Sequence, residues 1–330
     1  MKKYNVCLVG ATGMVGTTFL KILAEVNFPI GKLKLLASAK SAGKTIEFKG
    51  ETLTIDELKP DAFTGYDLAF FSAGGDVSKQ YAPIAAAAGL TVIDNSSAWR
   101  EDANIGLVVP EVNFDAVSFN KIIANPNCST IQSVIPLAAL IKKYPLKNVF
   151  YSTYQAVSGS GYAGTNDLIA AQKGETPTFY PHNISQTAIP HIDVFLEDGY
   201  TKEEMKMANE TKKILNLPHL PVSATCVRIP VANGHAVSVR VEFEDAYDIE
   251  EVRRLLSRQA GLVLVDDVAN NNYPTTALAN GTDAVYVGRI RRDLSSKNGL
   301  LFYCTADNIR KGAASNAVQI ALKMIQENLL

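Results

Sequence analysis

Cys128 lies in Asn125-Pro126-Asn127-Cys128-Ser129-Thr130, between the apolar run 121–124 and a helical stretch over 131–143. The apolar run predicts a strand, and Asn-Pro ends it because the residue before proline is driven out of the helical region. Cys128 then falls in the first turn of the helix that follows. Free N–H groups and the helix dipole favour a thiolate there, which makes Cys128 a candidate nucleophile, with inert packing as the alternative for a lone Cys. A second cluster opens the chain. A β-rich run over 4–10 leads into Gly10, Gly13 and Gly16, spaced G-x-x-G-x-x-G, and a helix over 17–26. Gly10 allows the tight turn, Gly13 lets the backbone approach a pyrophosphate, and Gly16 lets helix and strand pack closely. Gly10, Thr12, Gly13, Met14 and Val15 are the expected dinucleotide cradle, with the pyrophosphate on the helix N-terminus.

The second strand, over 32–37, bears on which dinucleotide. It ends in Ser38-Ala39-Lys40-Ser41, without the carboxylate that usually takes a ribose 2′-hydroxyl. Ser38, Lys40 and Ser41 offer two hydroxyls and a cation to a 2′-phosphate, which favours NADP over NAD.

These residues need elements to hold them. Strand and helix alternate through the first ~125 residues, which predicts a doubly wound parallel sheet with ligands at its strands' carboxyl ends. Strands are expected over 68–73 and 91–94, with an Ala-rich helix over 77–88 between them. After Cys128 the pattern becomes α+β. Strands over 147–157, 222–230, 235–244, 284–292 and 300–305 and helices over 162–172, 202–215 and 249–259 predict a mixed or antiparallel sheet. The stretch 174–199 reads as irregular. The fold class is thus α/β, a Rossmann-like N-terminal sheet plus an α+β catalytic and dimerisation domain. The expected division is 1–127 for the dinucleotide domain and 128–307 for the catalytic domain, with a last helix within 308–330 packing back on the first.

Composition agrees. The chain has 330 residues, 47% hydrophobic and 20% charged, with a net charge of −1. That length suggests two domains with ample core, and the charge balance argues against nucleic acid or an anionic membrane as partner. Four scattered cysteines form no disulfide framework, and neither they nor the four histidines have metal-ligand spacing, so no metal is expected. Cys7, Cys226 and Cys304 read as packing. No apolar run suits a signal peptide or a membrane span, and a cytoplasmic enzyme is expected.

Together Gly10–Gly16, Ser96-Ser97-Ala98-Trp99-Arg100, 125–130, Gln155-Ala156-Val157-Ser158-Gly159, Glu210-Thr211-Lys212-Lys213, Arg228 followed by His235, and 307–312 resemble the aspartate-β-semialdehyde dehydrogenase family, in the family's own order from residue 4 to about 325. The resemblance implies NADP-dependent, reversible reduction of L-aspartyl-4-phosphate to the semialdehyde and phosphate through a Cys128 thioester. It places the enzyme in biosynthesis of lysine and diaminopimelate, threonine and methionine. It implies His235 as acid/base, taking the thiol proton or serving the hemithioacetal oxygen, and Gln155 as the residue that orients substrate. Arg228 would clamp the α-carboxylate and Glu210 face the ammonium. Arg100 and Lys213 would bind phosphate, with a hydrogen bond from Asn127. Ser158, Gly159 and Asn308 match positions beside the nicotinamide. A homodimer or dimer of dimers is implied. Lys40 stands where many relatives have Arg, which leaves dual NAD/NADP use open. A sister reductase acting on an N-acylated substrate, or a non-catalytic NADP(H) sensor, would share the fold. Glu210 argues against the first and the Cys128–His235 pair against the second.

Overall fold

The computed structural model describes residues 2–117 and 120–330. The chain divides into two compact units, Met1–Pro126 with Ala313–Leu330, and Asn127–Gly312.

The first unit runs β1 (Tyr4–Val9), α1 (Met14–Glu25), β2 (Ile30–Ala37), β3 (Thr45–Phe48), β4 (Glu51–Glu57), β5 (Leu68–Phe71), α2 (Gly75–Ala87), β6 (Thr91–Asp94) and β7 (Ile122–Ala124). Its seven strands order as β3-β4-β2-β1-β5-β6-β7, parallel except where β3 meets β4. Strands β5, β6 and β7 are buried at every residue, as parallel strands covered on both faces must be. The hairpin of β3 and β4 has no counterpart in the sequence reading. Its turn, Lys49-Gly50, has φ of 51° and 83°, the left-handed pair that fits a two-residue hairpin.

The second unit contains α3 (Cys128–Leu140), β8 (Leu146–Gln155), α4 (Gly161–Gln172), α5 (Lys202–Ile214), β9 (Val222–Arg228), β10 (His235–Phe243), α6 (Ile249–Arg258), β11 (Leu262–Leu264), α7 (Thr276–Ala279), β12 (Val285–Arg292) and β13 (Gly299–Ala306). The six-stranded sheet orders as β11-β12-β13-β10-β8-β9. Only β8–β9 and β11–β12 pair in parallel, so the sheet is mixed. Helix α3 is buried from Ser129 to Leu140, because a segment apolar all round has no solvent face to offer, and it packs against β10 and β13. It starts at Cys128, earlier than the apolar run starting at Ile131 suggests, because Asn127 caps it. The opposite sheet face is open, exposing Phe150 and Tyr154.

The last helical stretch begins with a π-turn, Arg310–Ala314, before α8 (Ser315–Gln326). Ala317, Val318, Ile320 and Ala321 of α8 join Phe19, Leu23 and Phe70 in the core of the first unit.

Candidate active site

Strand register gathers the site in the second unit. Gln155 ends β8 and Arg228 ends β9, opposite each other in parallel register. Strand β10 runs antiparallel to β8, so its first residue, His235, lies at the same end. Strand β13 runs antiparallel to β10 and delivers Asn308, two residues beyond its end, to that end too. Strand alternation turns Thr153 and Gln155 to the covered face.

One residue's backbone ties these side chains together. The Ala156 N–H donates to Nδ1 of His235 at 3.0 Å, and its carbonyl accepts from Nη1 of Arg228 at 2.6 Å. Since Nδ1 accepts, a neutral His235 carries its proton on Nε2. That nitrogen is buried with no hydrogen-bond partner among the described residues, as is Nε of Arg228. Burial first, then the Arg228 guanidinium, holds the His235 pKa well below its ordinary 6.5. A side chain at Gly159 would meet Arg228 Nη1 at 2.9 Å and His235 Nε2 at 3.3 Å, so only glycine leaves those two nitrogens open. Ser158 and Asn308 hydrogen-bond each other, and Asn308 Oδ1 accepts from Gly234 N–H at 2.8 Å, holding the turn before His235.

Cys128 is half-buried at the first position of α3. Its neighbour Asn127 caps the helix through Oδ1, which accepts from the Ser129 and Thr130 N–H groups at 3.0 and 3.2 Å. The Asn127 N–H donates to Oε2 of Glu210 at 2.6 Å. The other cysteines differ. Burial pushes Cys7 and Cys304 up to about 12, and burial and then Glu203 push Cys226 up. Those three thiols stay protonated.

Helix α5 opens on a capping box between Thr201 and Glu204, a Thr-x-x-Glu signal that was legible in the sequence but unused. It carries Glu203 and Glu210, seven residues and so two turns apart, on its buried face. Glu203 was not foreseen. Its Oε1 accepts from both Asn127 Nδ2 (2.8 Å) and Gln155 Nε2 (3.0 Å), and its Oε2 from Lys206 Nζ (3.2 Å). Lys213, one turn beyond Glu210, is half-buried.

The first unit holds the glycine loop. Gly10 has φ of 84°, and a side chain there would meet Ser72 O at 2.3 Å; one at Gly16 would meet Gly10 O at 2.2 Å. A side chain at Gly13, the N-cap of α1, would meet Gly10 O at 3.4 Å, an ordinary contact. The space beside Gly13 is part of a cavity of about 580 Å³ lined by Gly10, Thr12, Gly13, Ser38, Glu57 and Leu58, among others. Met14 and Val15 open α1. This cradle fits a dinucleotide. Lys40 and Ser41 follow Ser38 in a turn closed by Ser41 N–H to Ser38 O, with Lys40 exposed. Glu57, brought alongside Ala37 by β4, is a lining carboxylate that the sequence reading missed with its strand. Arg100 also belongs to this unit, buried, with Nη2 on Asn95 O at 2.8 Å. Among the described residues no His, Cys, Asp and Glu group is arranged to hold a metal, and no helix is long and apolar enough to cross a membrane.

Residues 5–119 match the family described as semialdehyde dehydrogenase, NAD binding domain, and residues 137–311 the one described as semialdehyde dehydrogenase, dimerisation domain. The chain is 52% identical over 338 residues to aspartate-semialdehyde dehydrogenase of Aquifex aeolicus (strain VF5), covering 99% of each. It is 47% identical to the enzyme of Bacillus subtilis (strain 168), again over 99% of each. The crystal structure of aspartate semialdehyde dehydrogenase II complexed with ASA from Vibrio cholerae shares its fold at a TM-score of 0.95 and 43% identity, over 99% of both chains. With a half-buried cysteine at the first position of α3, a glycine loop and this likeness along its whole length, the chain belongs to the aspartate-semialdehyde dehydrogenase family.

Proposed function

We propose that this protein is an NADP-dependent, phosphorylating aspartate-semialdehyde dehydrogenase. The observation that carries the proposal is the cluster at one end of the second sheet. There the Ala156 N–H meets His235 Nδ1 and the Ala156 carbonyl meets the Arg228 guanidinium, just after Gln155, and His235 Nε2 is buried with no hydrogen-bond partner among the described residues. The crystallised Vibrio cholerae relative with ASA supports the substrate.

In the oxidative direction the Cys128 thiolate adds to the aldehyde and forms a hemithioacetal. Gly10, Thr12, Gly13, Met14 and Val15 would hold the oxidised dinucleotide, with Ser38, Lys40 and Ser41 available to its 2′-phosphate, and the group would supply the hydride acceptor. Loss of hydride from carbon and of the proton from the hydroxyl leaves a Cys128 thioester, and phosphate attack on it expels the thiolate and releases the acyl phosphate. The helix N-terminus favours the thiolate. Of the two roles expected of His235, the proton on Nε2 favours donation to the substrate oxygen, where negative charge develops. Arg228 keeps Nε for the α-carboxylate, a task that suits a guanidinium edge. Glu210 would meet the ammonium, Gln155 would orient the acyl group, and Lys213, Arg100 and Asn127 would serve phosphate. Ser158, Gly159 and Asn308 would border the nicotinamide. NADP is preferred because Ser38, Lys40 and Ser41 follow β2, although Glu57 adds a negative charge to the same cavity. The setting is a reducing cytoplasm, the pathway that of the aspartate-derived amino acids, and the assembly a homodimer or a dimer of dimers.

The test is NADPH formation from L-aspartate-β-semialdehyde and NADP⁺, with and without inorganic phosphate. Sustained turnover only with phosphate is expected. Turnover on an N-acyl semialdehyde instead would move the protein to the sister reductases.

A further inference from the structure

A carboxamide turned by 180° exchanges donor for acceptor at nearly no change in shape. A site that uses two of them must therefore fix their faces. Gln155 and Asn127 are both buried, and one atom faces both amide nitrogens. Glu203 Oε1 accepts from Asn127 Nδ2 at 2.8 Å and Gln155 Nε2 at 3.0 Å. A carboxylate only accepts, so each amide must present its nitrogen. The far sides agree: Gln155 Oε1 accepts from Thr153 Oγ1 at 2.9 Å, and Asn127 Oδ1 takes the two N–H groups that cap α3.

We propose that Glu203 is a positioning residue of this site, setting through one oxygen the amide faces of Gln155, which orients the acyl group, and of Asn127, which precedes the nucleophile. Glu203 is 5% exposed and acts through its neighbours. Lys206 keeps it charged from the other side, bonding Oε2 and also Asp193 at 2.7 Å. Burial raises the Glu203 pKa, but the Lys206 charge, then the Asn127 and Gln155 hydrogen bonds, outweigh it and bring it below the ordinary 4.5. A Gln in its place would turn an NH₂ either toward the ammonium, which cannot accept it, or toward the two amides, which accept it only by flipping away from the faces that Glu203 sets.

The proposal rests on the function above, and its test separates the two. Wild-type turnover of the semialdehyde judges the function alone. For Glu203, kcat, KM and the rate of Cys128 alkylation by iodoacetamide are measured for wild type, Glu203→Gln, Gln155→Ala and the double variant, each checked for folding by near-UV circular dichroism. Misplacing a reacting group costs up to about a hundredfold, so Glu203→Gln is expected to lower kcat roughly tenfold or more while changing KM far less. In the Gln155→Ala background the same substitution is expected to cost a clearly smaller factor, because residues acting through one another are not additive. The alkylation rate is expected to change by about threefold or more, since Asn127 loses the partner that fixes its cap. Equal factors in both backgrounds, or an unchanged kcat, would overturn the proposal. If the wild type does not turn over the semialdehyde, an unchanged alkylation rate overturns it alone. Should Glu203→Gln not fold, Glu203→Asp keeps the charge but withdraws it by one methylene, and the same outcomes decide.

Discussion

At position 235, burial and a neighbouring cation act in one direction. Both disfavour an imidazolium, so the folded pKa lies below 6.5. Between that value and 6.5 the unfolded chain binds more protons than the folded one, so the contribution of His235 is full above 6.5 and is lost as pH falls below it. Wild type should therefore lose unfolding free energy faster than His235→Gln on acidification, by up to about 1.4 kcal/mol per pH unit. Urea denaturation at pH 7 and pH 5 reads this. A difference between the two proteins that does not change with pH would mean the ring is not held neutral. Residues of this kind were unevenly legible. Cys128 stood out because Asn-Pro stops a strand just before a helix. Glu203 did not, because a Glu three residues before a Lys on a charge-rich helix reads as a solvated pair. Only the packing of α5 shows that Glu203 and Glu210 share the buried face.

Among the elements, the turn from β1 to α1 separates packing from binding. A methyl at Gly16 would sit 2.2 Å from Gly10 O, backbone that cannot yield, whereas one at Gly13 meets only ordinary contact at 3.4 Å. Overpacking of this sort costs about 1–3 kcal/mol, so Gly16→Ala should lower the denaturation midpoint. Gly13→Ala, at a φ of −73° that alanine adopts freely, should keep its stability yet bind NADP⁺ about tenfold or more weakly, a loss of roughly 1.4 kcal/mol. Comparable stability losses in both, or unimpaired binding by Gly13→Ala in a dye-free calorimetric titration, would contradict this reading of the loop. The alternation of the first unit was legible because its buried parallel strands are continuous apolar runs. The β3–β4 hairpin was not, because charges interrupt it, although Ile46, Phe48, Leu53 and Ile55 alternate around Lys49-Gly50. Glu57 was lost with it. The π-turn at Arg310–Ala314 was equally hidden: it places Gly312 where a side chain would meet Cys128 Cβ at 2.8 Å, a fact of contact that spacing does not reveal.

At the scale of the whole molecule, the open face of the second sheet needs cover. Phe150 and Tyr154 are 46% and 37% exposed on it, with Arg240 stacked on Phe150 at 5.4 Å. A second copy is the proposed cover, since these strands lie within the match to a dimerisation domain and apolar faces of this kind mark interfaces. Phe150→Asp should sediment as a monomer where the wild type sediments as a dimer or larger; an unchanged sedimentation coefficient would place the interface elsewhere. The central claim, however, is the acyl group on Cys128. Wild type mixed with L-aspartate-β-semialdehyde and NADP⁺ without phosphate should stop after about one NADPH per site. Intact-mass and peptide analysis should then find an aspartyl acyl group on Cys128, which phosphate discharges. Sustained NADPH formation with no adduct, or undiminished turnover by Cys128→Ala, would contradict the account.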